Sequence, residues 1–247
     1  MILEGKTAIV TGGGNGIGRR YCHGLAAEGA KIVVADIAQD AAAQVAGEIG
    51  GTAMNVDVSD EASVAGMVSQ TLDAYGRIDI LINNAAIFTE VLPGKPFDEI
   101  SVEEWDRLFS VNVRGMWLCC KAAAPIFRRQ RSGVIVNISS GTIYQGVSGF
   151  MHYVTSKAAV WGMSRCLARE LGDYGVRVNC ITPGLTSSER ALEVYTQAAF
   201  EDRAQARLFK RQQQPDDLVG TMLFLCSDAS AFLTGQTLNV DGGAALH

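Results

Sequence analysis

The chain has 247 residues, 48% of them hydrophobic and 19% charged, with a net charge of −5. That apolar share excludes a disordered or low-complexity chain, and 27 glycines against 5 prolines exclude collagen. The acidic balance gives no general field for nucleic acid or an anionic membrane, and the cluster Arg128, Arg129 and Arg131 reads as a solvated helix end.

Met1 leads straight toward Lys6, Thr7, Ala8, Ile9 and Val10 without a basic and then apolar leader, so no signal peptide is expected. Residues 7–10 form the first candidate strand. Thr11-Gly-Gly-Gly-Asn-Gly-Ile-Gly18 follows it and opens a helix. Glycine there permits positive φ and lets backbone N–H groups reach a pyrophosphate, while the helix N-terminus adds a favourable dipole. The spacing is G-x-x-x-G-x-G, through Gly12, Gly16 and Gly18, with Asn15 and Ile17 inside it. No Lys-Ser/Thr pair follows, which excludes a Walker loop, and the context predicts dinucleotide binding. The second candidate strand, residues 31–35, ends at Asp36. A carboxylate there accepts hydrogen bonds from ribose hydroxyls and repels a 2′-phosphate, which favours NAD over NADP. Asn15 and Ile37 are uncharged, and Arg19 and Arg20 lie past the phosphate turn.

Further candidate strands are residues 52–55, 78–82, 134–138, 176–181 and 237–240. Helical spacing lies between them, as in Trp105, Leu108, Phe109, Val113 and Met116. This alternation predicts an α/β, doubly wound sheet of about seven parallel strands with helices on both faces. No composition break interrupts it, so residues 1–247 read as one domain. Two strandless stretches, 88–100 and 183–215, are long enough to be functional loops, the second a partly helical flap around 184–215. The six cysteines show no C-x-x-C spacing, and most lie in apolar stretches. They read as reduced, buried thiols of a cytoplasmic protein. No apolar run reaches membrane-spanning length.

Tyr153 and Lys157 lie four apart, on one face of a predicted helix. Ser140 stands upstream, just after a strand, Asn112 lies in the preceding helix, and Asn83-Asn-Ala-Ala86 follows the fourth strand. With these, Asp57-Val58, Pro183-Gly184 and Val240-Asp-Gly-Gly243, essentially the whole chain resembles the short-chain dehydrogenase/reductase family in its compact form. The resemblance implies a single-domain Rossmann fold and an oxidoreductase. Tyr153 would be the general acid/base, and its free pKa near 10 is too high for proton abstraction at neutral pH. Lys157 would lower it, since unit charges about 4 Å apart at an effective dielectric of about 20 attract by about 4 kcal/mol. Lys157 would also hold the nicotinamide ribose. Ser140 would orient the reacting oxygen. Asn112 would be the helix-kink residue that supports a water beside the lysine.

By the same resemblance Asp57 and Val58 would hold adenine, and Asn84, Ala85 and Ala86 would line the adenosine ribose and approach the nicotinamide. Ala86 stands where the family usually has glycine. Pro183, Gly184, Thr186 and Ser188 would meet the carboxamide, through either hydroxyl. Around the reacting centre fall Ile87, Phe88, Val91, Tyr144, Val147, Phe150 and Met151, with little fixed charge. Of these, Tyr144 and Phe150, with Ser140 and Tyr153, are the candidate substrate contacts. Such a pocket suits a hydrophobic secondary alcohol or ketone, aromatic or alicyclic.

The expected function is therefore an NAD-dependent alcohol dehydrogenase. A 3-oxoacyl thioester reductase is the alternative enzyme, weakened by Asp36 and the acidic surface. A non-catalytic cofactor-binding scaffold is disfavoured because Ser140, Tyr153 and Lys157 are all present. No Gly-x-Ser-x-Gly marks a serine hydrolase, and His23, His152 and His247 have no zinc-ligand spacing, so no metal is expected. Trp117, Trp161 and Met163, with the tail at 244–246, suggest subunit contacts, and the resemblance implies a homotetramer.

Overall fold

The computed structural model describes residues 1–246, and His247 lies outside them. The strands are β1 (Thr7–Thr11), β2 (Lys31–Asp36), β3 (Thr52–Asn55), β4 (Ile80–Asn83), β5 (Gly133–Ile138), β6 (Val176–Pro183) and β7 (Thr237–Val240). They form one seven-stranded sheet in the order β3-β2-β1-β4-β5-β6-β7, and every pair is parallel. The order reverses between β1 and β4, where Thr11 pairs with Asn83. A crevice opens beyond the carboxyl ends of strands at such a reversal, the arrangement of a doubly wound Rossmann sheet.

Both faces of the strands are apolar because both are covered. Ile9, Val33, Leu81, Ile135 and Val178 join one core. Val10, Val34, Ile82 and Val136, one residue on, and Ile181, three on from Val178, join the other. This period of two is the pleat of the strand. Helices α3 (Glu61–Tyr75), α5 (Met116–Gln130) and α7 (Met151–Leu171) cover the first face. Helices α1 (Gly16–Ala27), α2 (Gln39–Ile49) and α10 (Asp216–Cys226) cover the second.

Two strand ends differ from the sequence expectation by two residues, and four more by one. β4 begins at Ile80 rather than 78, because the Ile78 N–H bonds the Gln130 side chain at 3.3 Å instead of a neighbouring strand. β6 runs on to Pro183, where Thr182 and Pro183 still pair with β7.

Before α5 lies α4 (Val102–Phe109), opened by a capping box in which Ser101 and Glu104 satisfy each other's backbone N–H. A π-helical segment, Ser110–Gly115, joins α4 to α5 without a break. Pro125 is accommodated inside α5, which continues five residues beyond it. The flap carries α8 (Glu189–Val194) and α9 (Gln197–Ala206) and is pinned by a parallel bridge between Thr186 and Gln213. A short helix, α6 (Thr142–Gln145), follows β5. No helix among the described residues is long and apolar enough to cross a membrane.

Candidate active site

A cavity of about 790 Å³ occupies the crevice at the β1/β4 reversal. Its first wall is the glycine turn. Gly12 and Gly16 have φ of +63° and +54°, conformations that favour glycine. A Cβ on Gly12 would lie 2.9 Å from the Ala85 Cα, and one on Gly18 would overlap the carbonyl oxygen of Gly12. The turn is tied to the segment after β4. The Thr11 hydroxyl accepts from the N–H groups of Asn84 and Ala85 at 3.1 and 3.2 Å, and the Asn84 amide donates to Gly12 O at 2.9 Å. At the first turn of α1 the Gly16 N–H donates to Glu189 Oε2 at 3.1 Å, joining the flap to the turn.

Asp36 lies at the end of β2 in the same wall, with Asp57 and Val58 beside it. Its carboxylate accepts from Gly14 N–H and Ala38 N–H, both at 2.9 Å. Asp36 makes no ion pair among the described residues, and Arg107, also on the wall, feels the charge of Asp57. Arg19 pairs with Glu48 at 2.9 Å and Arg20 with Asp216 at 2.6 Å, and neither is on the wall.

Ser140, Tyr153 and Lys157 meet in the middle of the cavity. Ser140 follows β5, and Tyr153 and Lys157 project from the first turns of α7. Thr142 orients Ser140 by donating to its hydroxyl from its own at 2.9 Å. Lys157 Nζ donates to Ile138 O at 3.0 Å and lies 5.9 Å from the centre of the Tyr153 ring. The expected lowering of Tyr153 by Lys157 is not what this environment gives. Burial pushes the phenol up to about 12, opposed by a hydrogen bond with Ser140. Burial likewise pushes Lys157 down to about 8. Each group is driven toward its neutral form, because a charge leaves water at a cost.

Asn112 is fully buried in the π-helical segment, behind the wall rather than on it. Its Oδ1 accepts from Ile87 N–H at 2.7 Å, and its amide donates to Ile87 O and Ser156 Oγ, both at 3.1 Å. It therefore positions the post-β4 segment against α7. Gly18 and Tyr144 are also absent from the wall. Asn15, Gly16, Ile17, Asn84, Ala85 and Ala86 are on it, as are Pro183, Gly184, Thr186 and Ser188. Thr186 donates its hydroxyl to Gly184 O at 3.0 Å. The Ser188 hydroxyl accepts from Ala191 N–H at 3.4 Å, capping α8, and keeps its own hydrogen to donate. His152 is buried behind the wall, where burial lowers its pKa and its Nδ1 has no partner.

The reacting end is aromatic. Phe88 lies 5.5 Å from Tyr153, ring to ring, and Tyr195 stacks on Phe88 at 5.9 Å. Ile87, Val147 and Phe150 complete this part of the wall, while Val91 packs beneath it and Met151 points outward. The expectation of little fixed charge is corrected. Arg107, Arg190, Arg203, Arg207, Glu90 and Asp241 also line the cavity. The flap residues among them fold back over the site only through tertiary contacts. Sequence spacing had no way to show this, although Asp241 stands inside the quoted Val240-Asp-Gly-Gly243.

Comparison with known proteins agrees with this fold. A family model described as enoyl-(acyl carrier protein) reductase matches residues 12–245. An uncharacterized oxidoreductase of Mycobacterium tuberculosis is 41% identical, over 98% of each chain. The (2S)-[(R)-hydroxy(phenyl)methyl]succinyl-CoA dehydrogenase subunit BbsD of Thauera aromatica is 36% identical, over 100% of this chain and 99% of its own. The crystal structure of a 3-ketoacyl-(acyl-carrier-protein) reductase from Brucella melitensis, complexed with NADH, superposes with a TM-score of 0.92 at 33% identity. That match covers 99% of this chain and 100% of the other.

Proposed function

The chain belongs to the short-chain dehydrogenase/reductase family of oxidoreductases, and from that premise we propose that it interconverts a hydrophobic secondary alcohol, aromatic or alicyclic, and its ketone, using NAD. The observation that carries this reading is the meeting of Ser140, Tyr153 and Lys157 beneath an aromatic wall. The residues present fit a dinucleotide. Glycine is required where Gly12 and Gly18 abut backbone, and a side chain there would fill the cradle. Asp36, which makes no ion pair among the described residues, supports NAD over NADP. The chemistry such a cofactor supplies when bound is acceptance or donation of hydride.

The protein's own part is proton transfer and orientation. Tyr153 holds its proton at neutral pH and so can donate it to a carbonyl oxygen in reduction, while in oxidation the fraction that has released its proton takes the hydroxyl proton. Ser140, held by Thr142, orients that oxygen. Lys157 keeps most of its charge at pH 7 and stabilises negative charge as it develops on Tyr153. Asn112 holds Ile87 and Ser156 in place as a positioning residue. Ser188, whose hydroxyl hydrogen is uncommitted, is the better donor to a carboxamide than Thr186. Residues 1–247 act as one catalytic domain with residues 184–215 as its flap. The working form is a cytoplasmic homotetramer without nucleic-acid or membrane partners, a reading supported by the exposed Trp117 and Trp161.

The test is the absorbance of NADH formed from NAD⁺ with 1-phenylethanol and cyclohexanol, run in parallel with NADP⁺. NAD⁺ is expected to support turnover, and a strong preference for NADP⁺ refutes the Asp36 argument. The names of relatives favour a second reading, reduction of a 3-oxoacyl thioester. Reduction of an acetoacetyl thioester faster than of acetophenone or cyclohexanone establishes it instead.

A further inference from the structure

We infer that Arg203 and Arg207 form an anion subsite at the flap end of the cavity, so that the alcohol this protein oxidises carries a carboxylate; this rests on the dehydrogenase reading above. Both arginines belong to the end of α9, four residues apart, with Ala206 between them on the same wall. Arg203 has no ion-pair or hydrogen-bond partner among the described residues.

Arg207 is a second positive charge beside it. This guanidinium is 3% exposed and donates to Leu185 O at 2.5 Å and Arg211 O at 3.2 Å. Its Nε is buried with no partner. Asp241 offers Arg207 some compensation, but its carboxylate already accepts from the N–H groups of Gly243, Ala244 and Ala245. The other wall arginines are better matched, and Lys157 is held by Ile138 O. Arg107 makes a two-point pair with Glu90 at 2.9 and 3.1 Å, and Arg190 reaches Glu193 at 3.4 Å. The positive excess thus concentrates on the Arg203–Arg207 pair. Arg203 is exposed and Arg207 buried on the same wall, and two neighbouring cations, one of them desolvated, favour an anion between them.

The aromatic ladder sets where that anion sits. Two ring-to-ring steps, of 5.5 and 5.9 Å, lead from Tyr153 through Phe88 to Tyr195. Tyr195 feels the charge of Arg203. The carbinol end therefore lies at Tyr153, an apolar body along Phe88, and the carboxylate at Arg203. A guanidinium meets a carboxylate with two parallel hydrogen bonds, an arrangement a lysine cannot reproduce.

The probe pair is 4-(1-hydroxyethyl)benzoate and its methyl ester, which share ring and carbinol and differ in charge. With NAD⁺ the acid is expected to exceed the ester in kcat/KM by roughly tenfold or more. Arg203→Gln brings that ratio near one, and Arg203→Lys retains part of it. A second readout needs no turnover: calorimetric titration of 4-ethylbenzoate, which lacks a carbinol, into the protein with NADH. Binding by the wild type and its loss in Arg203→Gln support the subsite. A wild-type ratio near one overturns it. So does an Arg203→Gln variant that binds NADH more weakly yet keeps the ratio, because the anion served is then the cofactor's. If no alcohol is oxidised at all, the dehydrogenase reading fails, and the 4-ethylbenzoate titration alone decides the subsite, absence of binding overturning it.

Discussion

Asp36 takes two backbone N–H groups, from Gly14 and from Ala38, so its carboxylate is oriented by the same turn that forms the cradle. Replacing it with Ala removes acceptors and a negative charge together. The expected result is a fall of about tenfold to a hundredfold in kcat/KM for NAD⁺ and a gain for NADP⁺, read from initial rates with each cofactor. An unchanged cofactor ratio contradicts the role. Tyr153→Phe should abolish turnover while NADH still quenches protein fluorescence. The phenol also fixes a pH dependence. Because Tyr153 sits near 12, the fraction able to take a proton rises with pH throughout the neutral and alkaline range. Alcohol oxidation should therefore climb from pH 7 to 9, while ketone reduction, which uses the protonated phenol, should not rise over the same span. Opposite slopes refute the assignment. Residue types at motif positions were legible in the sequence. The environment that shifts them was not, because burial of Tyr153 and Lys157 arises only when α7 packs on β5.

The β1–α1 junction shows how an element carries the site. Gly18 lies within the first turn of α1, close against the Gly12 carbonyl. Gly18→Ala must displace that turn, so NADH binding by fluorescence titration should weaken by more than tenfold. Wild-type affinity in this variant means the turn is not the cradle. Continuous β-branched runs between helical spacings made the strands readable, since both faces of a parallel strand are apolar. The ends were less so: the Gln130 side chain takes the Ile78 N–H and so delays β4 by two residues. The flap was legible as a long strandless stretch but not as a wall. Nothing in the spacing of Arg203 and Arg207 shows that the first stays exposed on the cavity wall while the second is buried.

For the molecule as a whole, five cysteines are buried and only Cys166 is exposed. Burial raises all five buried thiols, Cys180 to about 11 and Cys120 and Cys226 to about 12, with Cys22 and Cys119 shifted in the same direction. Above about pH 9 the unfolded chain releases these protons while the native protein keeps them, so stability falls as pH rises. Each thiol contributes a loss of up to about 1.4 kcal/mol per pH unit beyond that point. Lys157 acts the other way between about 8 and its unfolded value of 10.5, since there the unfolded chain binds the extra proton. One group against five leaves a net loss. The urea midpoint should drop between pH 9 and 10.5 in the presence of a reductant, and a constant or rising midpoint contradicts the balance.

The π-helical segment has a consequence for rotational phase. A π turn holds more residues than an α turn, so α4 and α5 form one continuous rod whose two ends are turned relative to each other. That offset lets Leu108 on α4 face Val91 and Tyr153 while Leu118 and Cys119 on α5 face the sheet core. Winding all of 110–115 as an ordinary α-helix, with no residue removed, would swing α4 by roughly 100° about its axis, because the wide turn would no longer absorb the extra residue. The rod would stay helical, yet it would aim Leu108 away from the phenol.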